Sequence, residues 1–139
     1  MAELDQIRER IRWLGLTSTR AAMYNLAGRK IDELIQAGFD REVSPKGQRW
    51  RQSAAAAREN RKTLHDTGAL QTGIRWKADS RRVEVKTTGA ANRYAGYQQR
   101  GTSRSPARPF LPEGGANLPR GYDRAIRRVL EGYIRSRFP

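Results

Sequence analysis

What this chain can fold into is limited first by a change of hydrophobic period across the stretch Leu64 to Leu70. Upstream of it, apolar residues recur at helical spacing: Ile7, Ile11 and Leu14, then Met23, Ala27, Ile31 and Leu34. Downstream, Leu70, Thr72, Ile74 and Trp76 alternate with Gln71, Gly73, Arg75 and Lys77, and Val83, Val85 and Thr87 alternate in the same way. A period of 3.6 lines up one face of a helix, whereas a period of 2 lines up one face of a strand. Leu64-His65-Asp66-Thr67-Gly68-Ala69-Leu70 is therefore the hinge between a helical half and a β half. The expected fold class is α+β: N-terminal helices, a small antiparallel β-sheet built on a hairpin, and a C-terminal amphipathic helix.

The first stripe predicts a short helix from about Leu4 to Leu14 that Gly15 ends. Thr17 or Ser18 then offers a hydroxyl to cap a second helix, and Gly38 offers its stop. Ser44-Pro45-Lys46-Gly47 has Pro and Gly in tight-turn positions, and Trp50 after it anchors a loop onto the core. Ala54 to Lys62 has helix propensity but no apolar face to bury.

Beyond the hinge, a strand from Leu70, a turn at Asp79-Ser80-Arg81 and the Val83–Thr87 alternation predict a hairpin. Its wet face carries Arg75, Lys77, Arg82 and Lys86. Tyr94 and Tyr97 share one face of a helical turn that Gly101 ends, residues 101–109 are a loop, and Phe110-Leu111 between prolines is at most a short edge strand. Tyr122, Ile126, Val129, Leu130, Tyr133 and Ile134 mark a helix from about Gly121 to Ser136 with a basic outer face. Without a repeat or a second composition, 139 residues read as one domain: N-terminal helices over residues 1–38, a loop and short helix over 39–63, the hairpin and basic loop over 64–112, and the last helix over 118–139.

Charge bounds the partners. Lys plus Arg number 28 against 14 Asp plus Glu, a net of +14, and 23 of the cations are Arg. Residues 1–70 hold 13 basic and 9 acidic side chains, whereas 71–139 hold 15 and 5. No carboxylate falls between Glu84 and Glu113, while Lys86, Arg93, Arg100, Arg104 and Arg108 do. Such a field favours a polyanion or the acidic face of another protein.

Zero Cys excludes disulfides and thiolate chemistry, and a single His excludes a His-rich metal site. No cofactor is expected. No apolar run approaches the ~20 residues of a membrane span, and the polar start Met-Ala-Glu-Leu-Asp-Gln is unlike a signal peptide. A soluble product that acts where it is made, or in an assembly built there, is the expectation.

Asp66-Thr67-Gly68 is the one catalytic signature to weigh, because an aspartic protease of the retroviral type uses one Asp-Thr-Gly per subunit. Such an Asp follows a buried apolar strand, and here Arg58-Glu59-Asn60-Arg61-Lys62-Thr63 precedes it. Asp66, Thr67 and Gly68 read instead as a structural turn in which the carboxylate accepts from backbone N–H groups. No other catalytic spacing is present, so an enzyme is not expected.

Taken in order, Ser44-Pro45-Lys46-Gly47-Gln48-Arg49-Trp50, Leu64-His65-Asp66-Thr67-Gly68-Ala69-Leu70, Tyr94-Ala95-Gly96-Tyr97-Gln98-Gln99-Arg100-Gly101-Thr102, Arg108-Pro109-Phe110-Leu111 and a final helix resemble the phage virion morphogenesis family. These are tail completion proteins of Mu-like phages, related to neck proteins of other tailed phages. The resemblance covers about residues 39–136. It departs at Gln99-Arg100, where the family has an apolar or acidic residue before Gly-Thr, which bears on the partner surface more than on the fold.

The resemblance implies a subunit of a six-fold homo-oligomeric ring in the virion neck. Its neighbours would be head connector or portal-side proteins and tail terminator or tube proteins, with non-specific DNA contact in the lumen. Lys86, Arg93, Tyr94, Tyr97, Arg100, Arg104, Arg108 and Phe110 are the candidate partner or DNA contacts. The competing expectation is a stand-alone basic nucleic-acid-binding protein.

Overall fold

The computed structural model describes residues 2–64, 68–113 and 118–138. Helix α1 (Ala2–Leu14) leads into the long α2 (Thr17–Arg41), followed by the short α3 (Ala54–Glu59) and a single helical turn α4 (Ala69–Thr72). Strands β1 (Ile74–Ala78) and β2 (Val83–Thr87) form an antiparallel pair. A 3₁₀ turn at Gly89–Ala91 leads into α5 (Asn92–Arg100), and α6 (Arg120–Arg137) closes the chain. Helices plus a two-stranded antiparallel sheet and a C-terminal helix make this an α+β fold.

Helix α2 is central because its buried positions Ala27, Ile31, Ile35 and Phe39 step by four residues and so form one continuous ridge. Tyr122, Ile126 and the partly buried Leu130 step by four on α6 and join the same core. The hairpin rests on α2 as well. Its register pairs Trp76 with Val85 and Ala78 with Val83 on the face toward the core, and Arg75 with Lys86 and Lys77 with Glu84 on the wet face. An isolated hairpin is marginal in water, so this contact with α2 is what makes it persist. Gly28 permits the close approach: a β-carbon there would stand 2.4 Å from the Trp76 ring.

The far end of α2 builds an aromatic cluster, with Phe39 5.3 Å from Trp50 and 5.5 Å from Phe110 between ring centroids. The Ser44–Gly47 turn forms as expected, the Gly47 N–H donating to the Ser44 carbonyl at 2.8 Å. It delivers Trp50, 8% exposed, to that cluster.

Several expectations need correction. Neither Thr17 nor Ser18 caps α2; Leu16 occupies that position in extended conformation with no side-chain hydrogen bond. Gly38 does not stop the helix, which continues to Arg41 and turns at Glu42 with φ 56°. The extra turn is what buries Phe39, and that gain outweighs the helix-breaking tendency of one glycine. Ala56 gives α3 a small buried face after all, with 0% exposure. Ser53 caps that helix, accepting from the Ala56 N–H at 3.0 Å.

Leu70 begins no strand. It lies buried on α4, and the strand starts at Ile74. The alternation through Leu70 and Thr72 is met by a helical turn because Gly68, at φ 74°, ends the approach in a left-handed conformation. Of the structural turn, Asp66 and Thr67 lie outside the described residues, as does His65. Phe110 and Leu111 form no strand; Phe110 is a core residue, 2% exposed. Among the described residues no helix is long and apolar enough to cross a membrane.

Candidate assembly interface

The segment from Gln98 to Leu111 is irregular in backbone yet fixed by side chains. Gln99, on α5, replaces a missing strand partner: its Oε1 accepts from the Phe110 and Leu111 N–H groups, each at 3.0 Å, and its Nε2 donates to the Leu111 carbonyl at 2.8 Å. The Arg108 N–H donates to the Gln98 carbonyl at 2.7 Å. Trp50 Nε1 donates to the Pro109 carbonyl at 2.7 Å. A half-buried amide that satisfies three backbone groups at once holds a loop as a ladder would.

Arg108 and Phe110, both candidate contacts by sequence, are thereby drawn inside. Arg108 is 6% exposed, and its Nε donates to the Arg51 carbonyl at 2.6 Å. Burial, with Arg51 nearby, lowers its pKa, and no carboxylate lies in ion-pair range among the described residues. Its charge is used to tie the loop to the Trp50 segment, and Phe110 is used to fill the aromatic cluster. Both are buried within the chain.

What remains outside is a compact set. Gly101, at φ 78°, brings the chain so close to itself that a β-carbon would stand 2.6 Å from the Ala107 nitrogen. That crossing throws out a turn, closed by the Thr102 N–H donating to the Ser105 carbonyl at 2.8 Å, with Arg104 exposed at its tip. On α5, Ala95 is buried, and the opposite face carries Arg93, Tyr97 and Arg100 at i, i+4 and i+7. Tyr97 is 62% exposed and Tyr94 38%. Lys86 lies on the wet face of the hairpin directly across from Arg75.

Electrostatically this surface is open. Among the described residues, Lys86, Arg93, Arg100 and Arg104 take part in no ion pair. The one acid on the paired strands, Glu84, is already engaged by Lys77 at 3.2 Å, which holds its carboxyl below the ordinary value. Like charges directly opposite on a strand pair, as at Arg75 and Lys86, weaken the sheet unless an anionic group lies over them. Exposed Tyr and Arg on one rigid helix face are also the residue types enriched at protein interfaces.

Sequence reasoning missed Gln99 as the organiser of this loop, because its partners Phe110 and Leu111 lie eleven and twelve residues further along the chain. It also missed Gly28, for which no local signal exists.

A family model described as the phage virion morphogenesis family matches residues 2–138. The chain belongs to the phage virion morphogenesis family. No curated protein and no solved structure matches it. Membership makes it a structural or assembly protein of a phage virion and points to a non-enzymatic role. For this member of the family, Gly101 and the Arg108-Pro109-Phe110 run are the framework, while the α5 face and the Arg104 turn are what that framework displays.

Proposed function

We propose that the protein forms a ring at the head–tail junction, completing the tail and joining it to the head connector so that DNA can pass. The observation that carries this reading is the pairing of family membership with a rigidly held, carboxylate-free surface of Arg93, Tyr97, Arg100 and Arg104. The partners proposed are further copies of the chain in a six-fold ring, connector or portal-side proteins on one side and terminator or tube proteins on the other.

Acidic protein surfaces suit this patch better than DNA does. A conduit that held phosphates tightly would retard the genome, since each phosphate neutralised adds affinity regardless of sequence. The exposed tyrosines add apolar area of the sort protein interfaces bury.

The test is electron microscopy of lysates from the encoding phage with this gene disrupted. The reading expects filled heads and separate tails. Joined particles, or heads that never fill, overturn it. The second reading, a stand-alone nucleic-acid-binding protein, draws on the net charge of +14. It requires the isolated monomer to bind random duplex DNA tightly at physiological salt, with affinity falling steeply as salt rises.

A further inference from the structure

Helix α1 is amphipathic, yet most of its apolar stripe is exposed, and only Leu14 at its end borders α2. Leu4 is 55% exposed, Ile7 49%, Ile11 65% and Leu14 37%. At roughly 100° per residue these four lie within about a quarter of the helix circumference. Trp13 lies on the other side, and there the helix is fastened: its ring centroid lies 5.4 Å from that of the tilted Tyr133 ring and 5.3 Å from that of Phe138, which it meets edge-on, with the Arg10 guanidinium 5.4 Å from the Phe138 ring. The clamp to the end of α6 therefore turns the stripe outward.

Among the described residues the same molecule carries an open, largely apolar groove. Met23, Ala27 and Ile31 of α2, Val83 and Val85 of β2, and Leu130 of α6 line it, and its volume is about 1200 Å³. That exceeds the ~300–1,000 Å³ of ordinary small-ligand sites and suits a helix laid lengthwise by anchors one turn apart.

We propose that α1 of one copy docks its Leu4, Ile7 and Ile11 stripe into this groove of a second copy. The inference rests on the ring reading above and supplies its subunit contact. Charge selects the occupant. Glu3, Asp5 and Glu9 balance Arg8, Arg10 and Arg12, so α1 is neutral and the rest of the chain carries the entire net charge of +14. The groove rim bears Arg20, Arg81 and Arg82 against two carboxylates, Glu84, which Lys77 engages, and Glu113, so cations still prevail there. Most faces of a second copy would be repelled by that rim, whereas the acidic first turn of α1, Glu3 and Asp5, complements it. Leu4, Ile7 and Ile11 lie apart from the groove, which only Leu14 of the same stripe borders, so the contact is heterologous and propagates until it closes into a ring.

Because the chain has no Cys, the test is clean. Two single-Cys variants, Ile11→Cys and Val83→Cys, are mixed and oxidised. The mixture is expected to give at least tenfold more disulfide-linked dimer than either variant alone. Equal yields overturn the proposal, as does closure within one chain of the double variant I11C/V83C, which would make α1 a cover for its own groove.

In sedimentation, the double variant I7D/I11D is expected to keep the thermal melt of the natural chain, since both positions are exposed, and to self-associate at least tenfold more weakly. If the natural chain self-associates and I7D/I11D does so equally, the docking fails while the ring stands. If the natural chain stays monomeric at every concentration, the docking fails, and the disrupted-gene lysates decide the ring reading separately.

Discussion

Gly28 and Trp76 meet so closely that the helix–hairpin contact depends on the absence of a single methyl group. A β-carbon at Gly28 would stand 2.4 Å and 2.5 Å from two ring carbons of Trp76 and 3.3 Å from Val83. Gly28→Ala gains helix propensity of ~1 kcal/mol but must displace a partly buried indole, and overpacking of this kind costs about 1–3 kcal/mol. The net expectation is a loss of about 1 kcal/mol or more, read from urea unfolding midpoints; a stabilised variant would refute the close packing.

Tyr122 supplies a second test at this scale. Burial pushes its phenol up to about 12, above an ordinary value of 10.0. The unfolded chain therefore releases the proton first, so the contribution is complete below pH ~10 and is lost between pH ~10 and ~12, in all roughly 3 kcal/mol. Tyr122→Phe removes that share of the alkaline decline in stability, measured by denaturation across this range.

The burial of Tyr122 was legible from its place on the apolar stripe of the last helix, whereas the Gly28 contact was not. That contact depends on a partner distant along the chain, and a single residue's neighbourhood says nothing of what the fold brings to it. Arg108 illustrates the cost: in a charge map it is one cation of five, and only the Arg51 carbonyl beneath it reveals an internal tie.

At the level of elements the hydrophobic period carried most of the information. The ridge on α2, the hairpin and the last helix follow from spacing because burial of one face enforces one period, and the exposed α1 stripe keeps the same spacing without that burial. Ends were harder. Gly38 and Leu70 each sit where a local preference competes with burial, of Phe39 in one case and of Leu70 itself in the other, and burial prevailed. The hairpin turn was readable because its chemistry is local. Asp79 Oδ1 accepts from the N–H groups of Arg81 at 2.7 Å and Arg82 at 3.0 Å. These bonds hold the Asp79 carboxyl below its ordinary range. Because the folded value is depressed, the turn is fully supported above pH ~4 and weakens as pH falls through the lowered value. Amide chemical shifts of Arg81 and Arg82 are expected to move toward unfolded values on acidification, and Asp79→Ala to show that displacement already at neutral pH.

For the whole molecule, the fold separates what holds the basic segment from what it offers. Gln99, Arg108 and Phe110 hold it; Arg93, Tyr97, Arg100 and Arg104 face outward. Arg104→Glu is accordingly expected to leave stability within about 0.5 kcal/mol, as surface changes do, yet to lower the yield of joined particles in complementation at least tenfold. Stability and assembly falling together would place Arg104 in the framework instead.

The most direct measurement is a reconstruction of the neck in virions of the encoding phage. The account predicts a closed ring of this chain between head and tail, with Tyr97 and Arg104 against acidic surfaces of adjoining proteins. A neck without the chain, or a ring in which Arg93, Tyr97, Arg100 and Arg104 all face bulk solvent, would contradict it.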